Sequence, residues 1–225
     1  MAVCTVACRW EPGVATRLLA VRDELVSRDF DGPGEWWPQQ PGVVGGRDRR
    51  AGGSWCVTDV AAGLTALVLN RAERRIGTPS RGVLPLAAVA SGADWPERVD
   101  HHDMASFNLV LAGPGAVTVW TWDADQLRRT DLAPGEHIIT SAGVDVAEDP
   151  KTARFGAPLA RDGWLDVLTS TEPEDDRSAL VVRHPIGDDV YATVFGQLIT
   201  STPGALTIHS SRTPWKREGW VEQSW

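Results

Sequence analysis

Lysine, cysteine and long apolar runs are all scarce in this chain. Lys151 and Lys216 are the only lysines beside a large arginine complement, and with abundant Ala, Gly and Val that usage points to a GC-rich coding sequence. A formal net charge of -8 leaves no basic face for a phosphate backbone, so nucleic acid is not an expected partner. The same charge disfavours anionic membrane surfaces. No apolar run approaches the roughly 18 residues of a transmembrane helix, so no membrane insertion is expected. Arg9 and Glu11 interrupt the N-terminal stretch where a signal peptide needs a continuous apolar core, and the expected location is cytoplasmic. The cysteines Cys4, Cys8 and Cys56 are too few, and odd in number, for a disulfide framework. Cys4 and Cys8 form C-x3-C, but no second Cys or His pair follows at zinc-site spacing. No metal site and no cofactor is expected.

What is present fits a globular domain. The 225 residues, 42% hydrophobic and 23% charged, are ample for a core and are read as a single domain over 1–225. Residues 3–10 (VCTVACRW) read as a strand, with TRLLAV (16–21) as its hairpin partner. Residues 26–53 read as a long loop, followed by a hairpin of SWCVTDV (54–60) and LTALVLN (64–70). A Ser80 cap predicts a helix over 80–92, and a second helical region is expected over 149–170. FNLVLAG (107–113) and AVTVWTW (116–122) flank Gly-Pro-Gly as a further hairpin. EHIITS (136–141) reads as a strand, PEDDRS (173–178) as an acidic turn, and VYATVFGQLIT and ALTIHSS as a closing strand pair. Hairpins dominate, which predicts an α+β fold of two mainly antiparallel sheets with helices covering their outer sides.

Several residues could carry chemistry. Cys4 is either a small buried packing residue or a nucleophile near the chain start. If β-pairing returns Arg22 and Asp23 to its side, a guanidinium there lowers the thiol pKa and a carboxylate can hold an ammonium. GGRDRRAGGSW (45–55) matches neither phosphate-loop pattern and is expected to be a turn lining a cleft, with Trp55 packed beneath it. Asn70 at a strand tip is a turn former or an oxyanion donor. His101-His102-Asp103 is expected in an exposed loop. Eleven tryptophans suggest an aromatic core or cleft.

The ordered stretches CTVACRWEP, AVRDE (20–24), GGRDRRAGGSW, LVLNR (67–71), SRGVL (80–84), FNLVLA (107–112) and LAPGEHIITS (132–141) carry a resemblance. Through them the chain resembles the NRDE family, the group that includes transport and Golgi organisation protein 2. That resemblance implies an N-terminal-nucleophile (Ntn) hydrolase-like fold, a four-layer αββα sandwich, and a more distant similarity to cysteine amidases of the choloylglycine-hydrolase and penicillin-acylase type. It maps Cys4 to the nucleophile, Arg22 and Asp23 to its activating pair, and Asn70 to the oxyanion hole. The implied substrate is a small amide or acyl compound, with Trp36, Trp37, Trp55, Asn108 and Ser141 as candidate binding residues. The alternative that it implies is a non-catalytic protein handling haem or lipid cargo.

The chain departs from the family pattern in three places. Val21 stands where the family has the asparagine of NRDE, and Thr140-Ser141 where it has Ser-Asn. Met1-Ala2-Val3 precede Cys4, whereas the family cysteine follows the initiator methionine. In Ntn chemistry the cysteine's own α-amine takes the thiol proton, and while Val3 is attached that nitrogen is an amide. The expectation is therefore removal of a short propeptide or, preferred here, initiation at a GUG codon for Val3.

Overall fold

The structure, a computed structural model, describes residues 4–71, 79–161, 163–176 and 178–225. The chain runs β1 (Thr5–Trp10), β2 (Thr16–Leu25), β3 (Phe30–Gly34), β4 (Val43–Asp48), β5 (Cys56–Asp59) and β6 (Leu64–Asn70), then helix α1 (Val83–Ser91) and a 3₁₀ turn (Gly92–Glu97). It continues through β7 (Phe107–Gly113), β8 (Ala116–Trp122), β9 (Leu127–Asp131), β10 (Gly135–Ile139), α2 (Pro150–Arg161) and α3 (Trp164–Thr169). It closes with β11 (Arg183–Ile186), β12 (Asp189–Thr202), β13 (Ala205–Ser211) and β14 (Val221–Ser224). The strands form two seven-stranded sheets, antiparallel at every strand pair. One is ordered β10-β1-β2-β12-β13-β14 with β11 on β12, the other β3 through β9 in chain order.

Both sheets are apolar on both faces, which is why their strands read as near-continuous hydrophobic runs. In β1 and β2, Val6, Cys8, Leu18 and Ala20 point into a core shared with Leu67, Leu69, Val110, Val117 and Val119 of the second sheet. The intervening Ala7, Leu19 and Val21 pack under Phe155, Leu159 and Leu168 of α2 and α3. On the second sheet, Ala66, Leu109, Leu111 and Trp120 meet Leu84, Ala88 and Val89 of α1. Each buried Val, Leu or Phe side chain among them contributes about 1.5–3 kcal/mol, and a one-residue register slip would exchange the two faces of a strand. The molecule is an α+β sandwich of two antiparallel sheets carrying few helices.

Several sequence expectations are corrected. Residues 26–53 are not one loop, because β3 and β4 lie within them. Glycine hides β4: a Cβ on Gly46 would lie 2.2 Å from the Trp55 ring, so the strand exists because its glycines admit that ring. Ser80 does not cap α1; the helix starts at Val83 after Gly82 with no side-chain cap, and Pro85 is tolerated in the first turn, where its missing N–H costs nothing. The region 149–170 is two helices, the second beginning after Gly163. His101 is buried, not exposed, with Trp122 edge-on at 4.9 Å and Trp95 at 5.7 Å. Residues 1–3, which include the start of the first expected strand and the expected initiation site, lie outside the described residues, as do 162 and 177 of the second helical region and the acidic turn.

Candidate active site at the Cys4 cleft

The β1–β2 register pairs Thr5 with Val21, which sets Cys4 at the strand entrance opposite Arg22. Side chains alternate along β2, so Arg22 and Asp23 leave the sheet on opposite faces. The Arg22 guanidinium lies between two aromatic rings, 4.7 Å from the centroid of Phe30 and 4.3 Å from that of Trp55. Asp23 turns toward α2. Its Oδ2 accepts from Lys151 Nζ at 3.2 Å and its Oδ1 from Thr193 Oγ1 at 2.6 Å. Lys151 Nζ also donates to Thr5 Oγ1 at 3.1 Å, tying the residue after Cys4 into the same network.

Cys4, Arg22, Asp23, Trp55, Asn70 and Arg81 line one cleft of about 120 Å³, together with Glu24, Arg28, Asp48, Ser54, Val68, Ser80 and Gly82. One wall depends on glycine: a Cβ on Gly53 would lie 2.5 Å from the Gly82 carbonyl oxygen, which instead accepts from Ser54 N at 2.8 Å. The half-buried Cys4 donates its thiol to the Asp23 carbonyl at 3.7 Å, and that same carbonyl accepts from Tyr191 Oη at 3.0 Å. Burial, followed by the Asp23 charge, pushes the Cys4 thiol up to about 11, while Arg22 and Lys151 pull the other way. At neutral pH the resting group is therefore a thiol that needs a proton acceptor.

Arg22 is 5% exposed, and among the described residues its buried Nη1 has no hydrogen-bond partner. Its Nη2 makes only long contacts, 3.6 Å to Glu24 and 4.0 Å to Asp48. An unsatisfied buried donor costs about 1–3 kcal/mol, so a negative charge forming in the cleft meets a group already waiting for it. Asn70 ends β6 and lines the cleft, and among the described residues its side-chain amide makes no hydrogen bond. Ser54 is engaged instead: its hydroxyl donates to the Gly46 carbonyl at 2.6 Å and accepts from Cys56 N at 3.0 Å. Asp48 is pinned by Arg28 Nε at 2.6 Å and by the Arg50 and Ala51 amides at 3.0 and 2.8 Å.

The remaining sequence candidates lie elsewhere. Trp36 donates to the Gly32 carbonyl at 2.9 Å and lines a separate depression with Phe195 and Arg212. Trp37 donates to the Gly52 carbonyl at 3.0 Å and packs on the α1 side of the second sheet. Asn108 is buried, donating to the Thr140 carbonyl at 2.8 Å and accepting from Thr121 Oγ1 at 2.9 Å, so its amide is spent inside the fold. The Ser141 carbonyl lies 3.5 Å from the same Asn108 amide, outside the cleft. Sequence reading passed over Lys151, Thr193, Tyr191 and Arg81 as site residues. The rarity of lysine was a signal for Lys151 and the SRGVL stretch one for Arg81; Thr193 and Tyr191 carried none. Among the described residues, no group of three or more His, Cys, Asp or Glu is placed to hold a metal ion, and no helix is long and apolar enough to cross a membrane.

No individually curated protein matches the chain. Residues 1–160 match the family described as Transport and Golgi organisation 2, and the chain belongs to that family. The matched span holds Cys4, Arg22, Asp23, Asn70, Arg81 and Lys151, while β12, which pairs with β2 and supplies Thr193 and Tyr191, follows it.

Proposed function

We propose, on the premise of that family membership, that the chain is a cysteine hydrolase or acyl-transfer enzyme of the Ntn type acting on a small amide or acyl substrate. The observation that carries this reading is one cleft holding both the Cys4 thiol and the buried, unpartnered Nη1-bearing guanidinium of Arg22. Helices packed on each sheet away from the shared core support the αββα order of that fold. A nucleophile heading an inner-layer strand suits it as well.

In this reading the working chain begins at Cys4, whose α-amine has an ordinary pKa of about 7.7–8.0 and takes the proton from Sγ. Arg22 stabilises the thiolate. Sγ bonds to the substrate carbonyl carbon as the C=O electron pair moves to oxygen, and Asn70 donates to that oxyanion. The ammonium returns the proton to the leaving nitrogen, the C–N bond breaks, and a thioester remains on Cys4. Water, or a second acceptor nucleophile, attacks the thioester, gives its proton to the α-amine and restores the thiol. The Asp23 main-chain carbonyl, fixed in place by the bonds of its side chain to Lys151 and Thr193, orients the amine.

The test joins two measurements. The intact mass of the protein made from its native gene reports whether Cys4 is the first residue. A panel of short-chain N-acyl anilides reports turnover, expected to vanish in Cys4→Ala and to fall about 10²–10³-fold in Asn70→Ala. Turnover that survives Cys4→Ala would overturn the reading, and full activity in a chain retaining Val3 would overturn the assignment of the base.

A further inference from the structure

The charges around Cys4 do not cancel. Asp23 contributes its carbonyl to the cleft, but its carboxylate is fully buried on the other face, between Lys151 and Thr193. That leaves Glu24 and Asp48 against the guanidinium groups of Arg22, Arg28 and Arg81. Arg28 lies 2.6 Å from Asp48 and 3.7 Å from Glu24, and Arg22 shares the same two carboxylates at 4.0 and 3.6 Å. Arg81 instead donates Nη1 to a neutral group, the Ser106 carbonyl, at 2.8 Å. Among the described residues no carboxylate comes within ion-pair reach of it, so the surplus positive charge of the cleft sits on Arg81. Burial pulls its guanidinium down, opposed by the Cys4 sulfur once it ionises and by Glu24.

The backbone adds to the same pole. Ser80, Arg81 and Gly82 line the cleft directly before α1, a nine-residue helix with no acidic residue in its first turn and no capping side chain. Its N-terminal end therefore adds positive potential beside the cleft that no acidic residue of its own first turn offsets. Asp48 cannot swing across, because its two oxygens are held by Arg28 and by two backbone amides. At about 120 Å³ the cleft admits the reacting end of a substrate only, well below the roughly 300–1,000 Å³ that encloses a drug-sized ligand.

We infer that Arg81 binds a carboxylate of the substrate beside the Cys4 sulfur, so that the substrates are acyl compounds bearing an anionic group a few atoms from the reacting carbonyl. This rests on the proposed function and names the substrate class for the same site. A charge-assisted, two-pronged hydrogen bond to a carboxylate is what a guanidinium with one edge already anchored supplies best.

The test compares two alkylating reagents that differ only in that group, iodoacetate and iodoacetamide. Each loses iodide as Cys4 Sγ bonds to its methylene carbon. Rates at Cys4 in the folded full chain are read by peptide mass spectrometry and normalised to the urea-unfolded chain. The expected iodoacetate-to-iodoacetamide ratio is at least about tenfold above that of the unfolded chain, because a nearby opposite charge steers and holds the anion. It should fall most of the way back in Arg81→Gln and partly persist in Arg81→Lys. Acetate should protect Cys4 saturably and acetamide should not, a measurement on the unaltered chain that holds even if the variants misfold. A ratio equal to that of the unfolded chain, or one unmoved by Arg81→Gln, overturns the inference; protection by inorganic phosphate equal to that by acetate overturns its restriction to carboxylates. Alkylation needs no turnover, so failure of the hydrolase reading and failure of this one are separately visible.

Discussion

Arg22 and Asp23 are adjacent in β2, both at least 95% buried, and the fold treats them in opposite ways. On the outer face, each carboxylate oxygen of Asp23 has a donor within 3.2 Å, and the ammonium that neutralises it is itself bonded to Thr5. On the inner face, Arg22 sits between two rings with long ionic contacts and one buried N–H unanswered. The first arrangement lowers the energy of the folded chain as it stands. The second leaves a cation short of partners beside a thiol, which favours whatever anion forms there. Burial alone does not separate structural charges from chemical ones; the completeness of their partners does.

The largest test of that contrast is Lys151→Met. Removing one member of a buried ion pair strands the other, and a loss of about 3–5 kcal/mol is expected in urea denaturation. Pairing it with Asp23→Asn should return most of the loss, and a single variant of near wild-type stability would break the comparison. Next come the thiols: Cys8→Ala and Cys56→Ala empty fully buried core positions and should each cost about 1–3 kcal/mol, whereas Cys4→Ala should stay within about 0.5 kcal/mol while abolishing turnover.

Arg22→Met should change stability by about 1 kcal/mol or less, since a flat apolar slot accepts the replacement and no close ion pair is broken. Arg22 lowers the Cys4 pKa, so its loss should move the alkylation profile of Cys4 to higher pH; an unmoved profile would remove Arg22 from the chemistry.

The smallest effect is alkaline. Burial pushes Cys8 and Cys56 from 9.0 up to about 12, with Asp145 and Glu136 adding to the effect on Cys8. Above pH 9 the unfolded chain releases protons that the folded chain keeps. Stability should therefore be complete below pH 9 and decline as the pH approaches 12. Replacing both cysteines by alanine should flatten that decline.

The apolar strands were legible because two-sided burial writes itself into the sequence, as in FNLVLAG and LTALVLN. Strands β9, β11 and β14 went unseen because their residues are mostly exposed and show no apolar alternation, as in LRRTD and VEQS, so hydrogen bonding alone recruits them to sheet edges. His101 misled because a histidine pair beside an aspartate reads as solvated, while Trp95 from the preceding 3₁₀ turn and Trp122 from β8 enclose its first ring. Of the nine residues proposed for the site, Cys4, Arg22, Asp23, Asn70 and Trp55 share the cleft, whereas Trp36, Trp37, Asn108 and Ser141 do not. Asn108 shows the reason. An amide within a strand is equally good at binding a ligand or a carbonyl of the fold, and the pairing of β7 with β8 brings it Thr121.

By itself the sequence determined the hairpin of β1 and β2, and with it the return of an arginine and an aspartate to the side of Cys4, because pairing across a short turn is a local matter of register. Only the tertiary structure decided which of those charges is spent. Lys151 and Thr193 reach Asp23 from 128 and 170 residues away, and Trp55 and Phe30 close on Arg22 from the second sheet. A side chain's charge is written in one letter, but its solvation depends on every surface that folds against it.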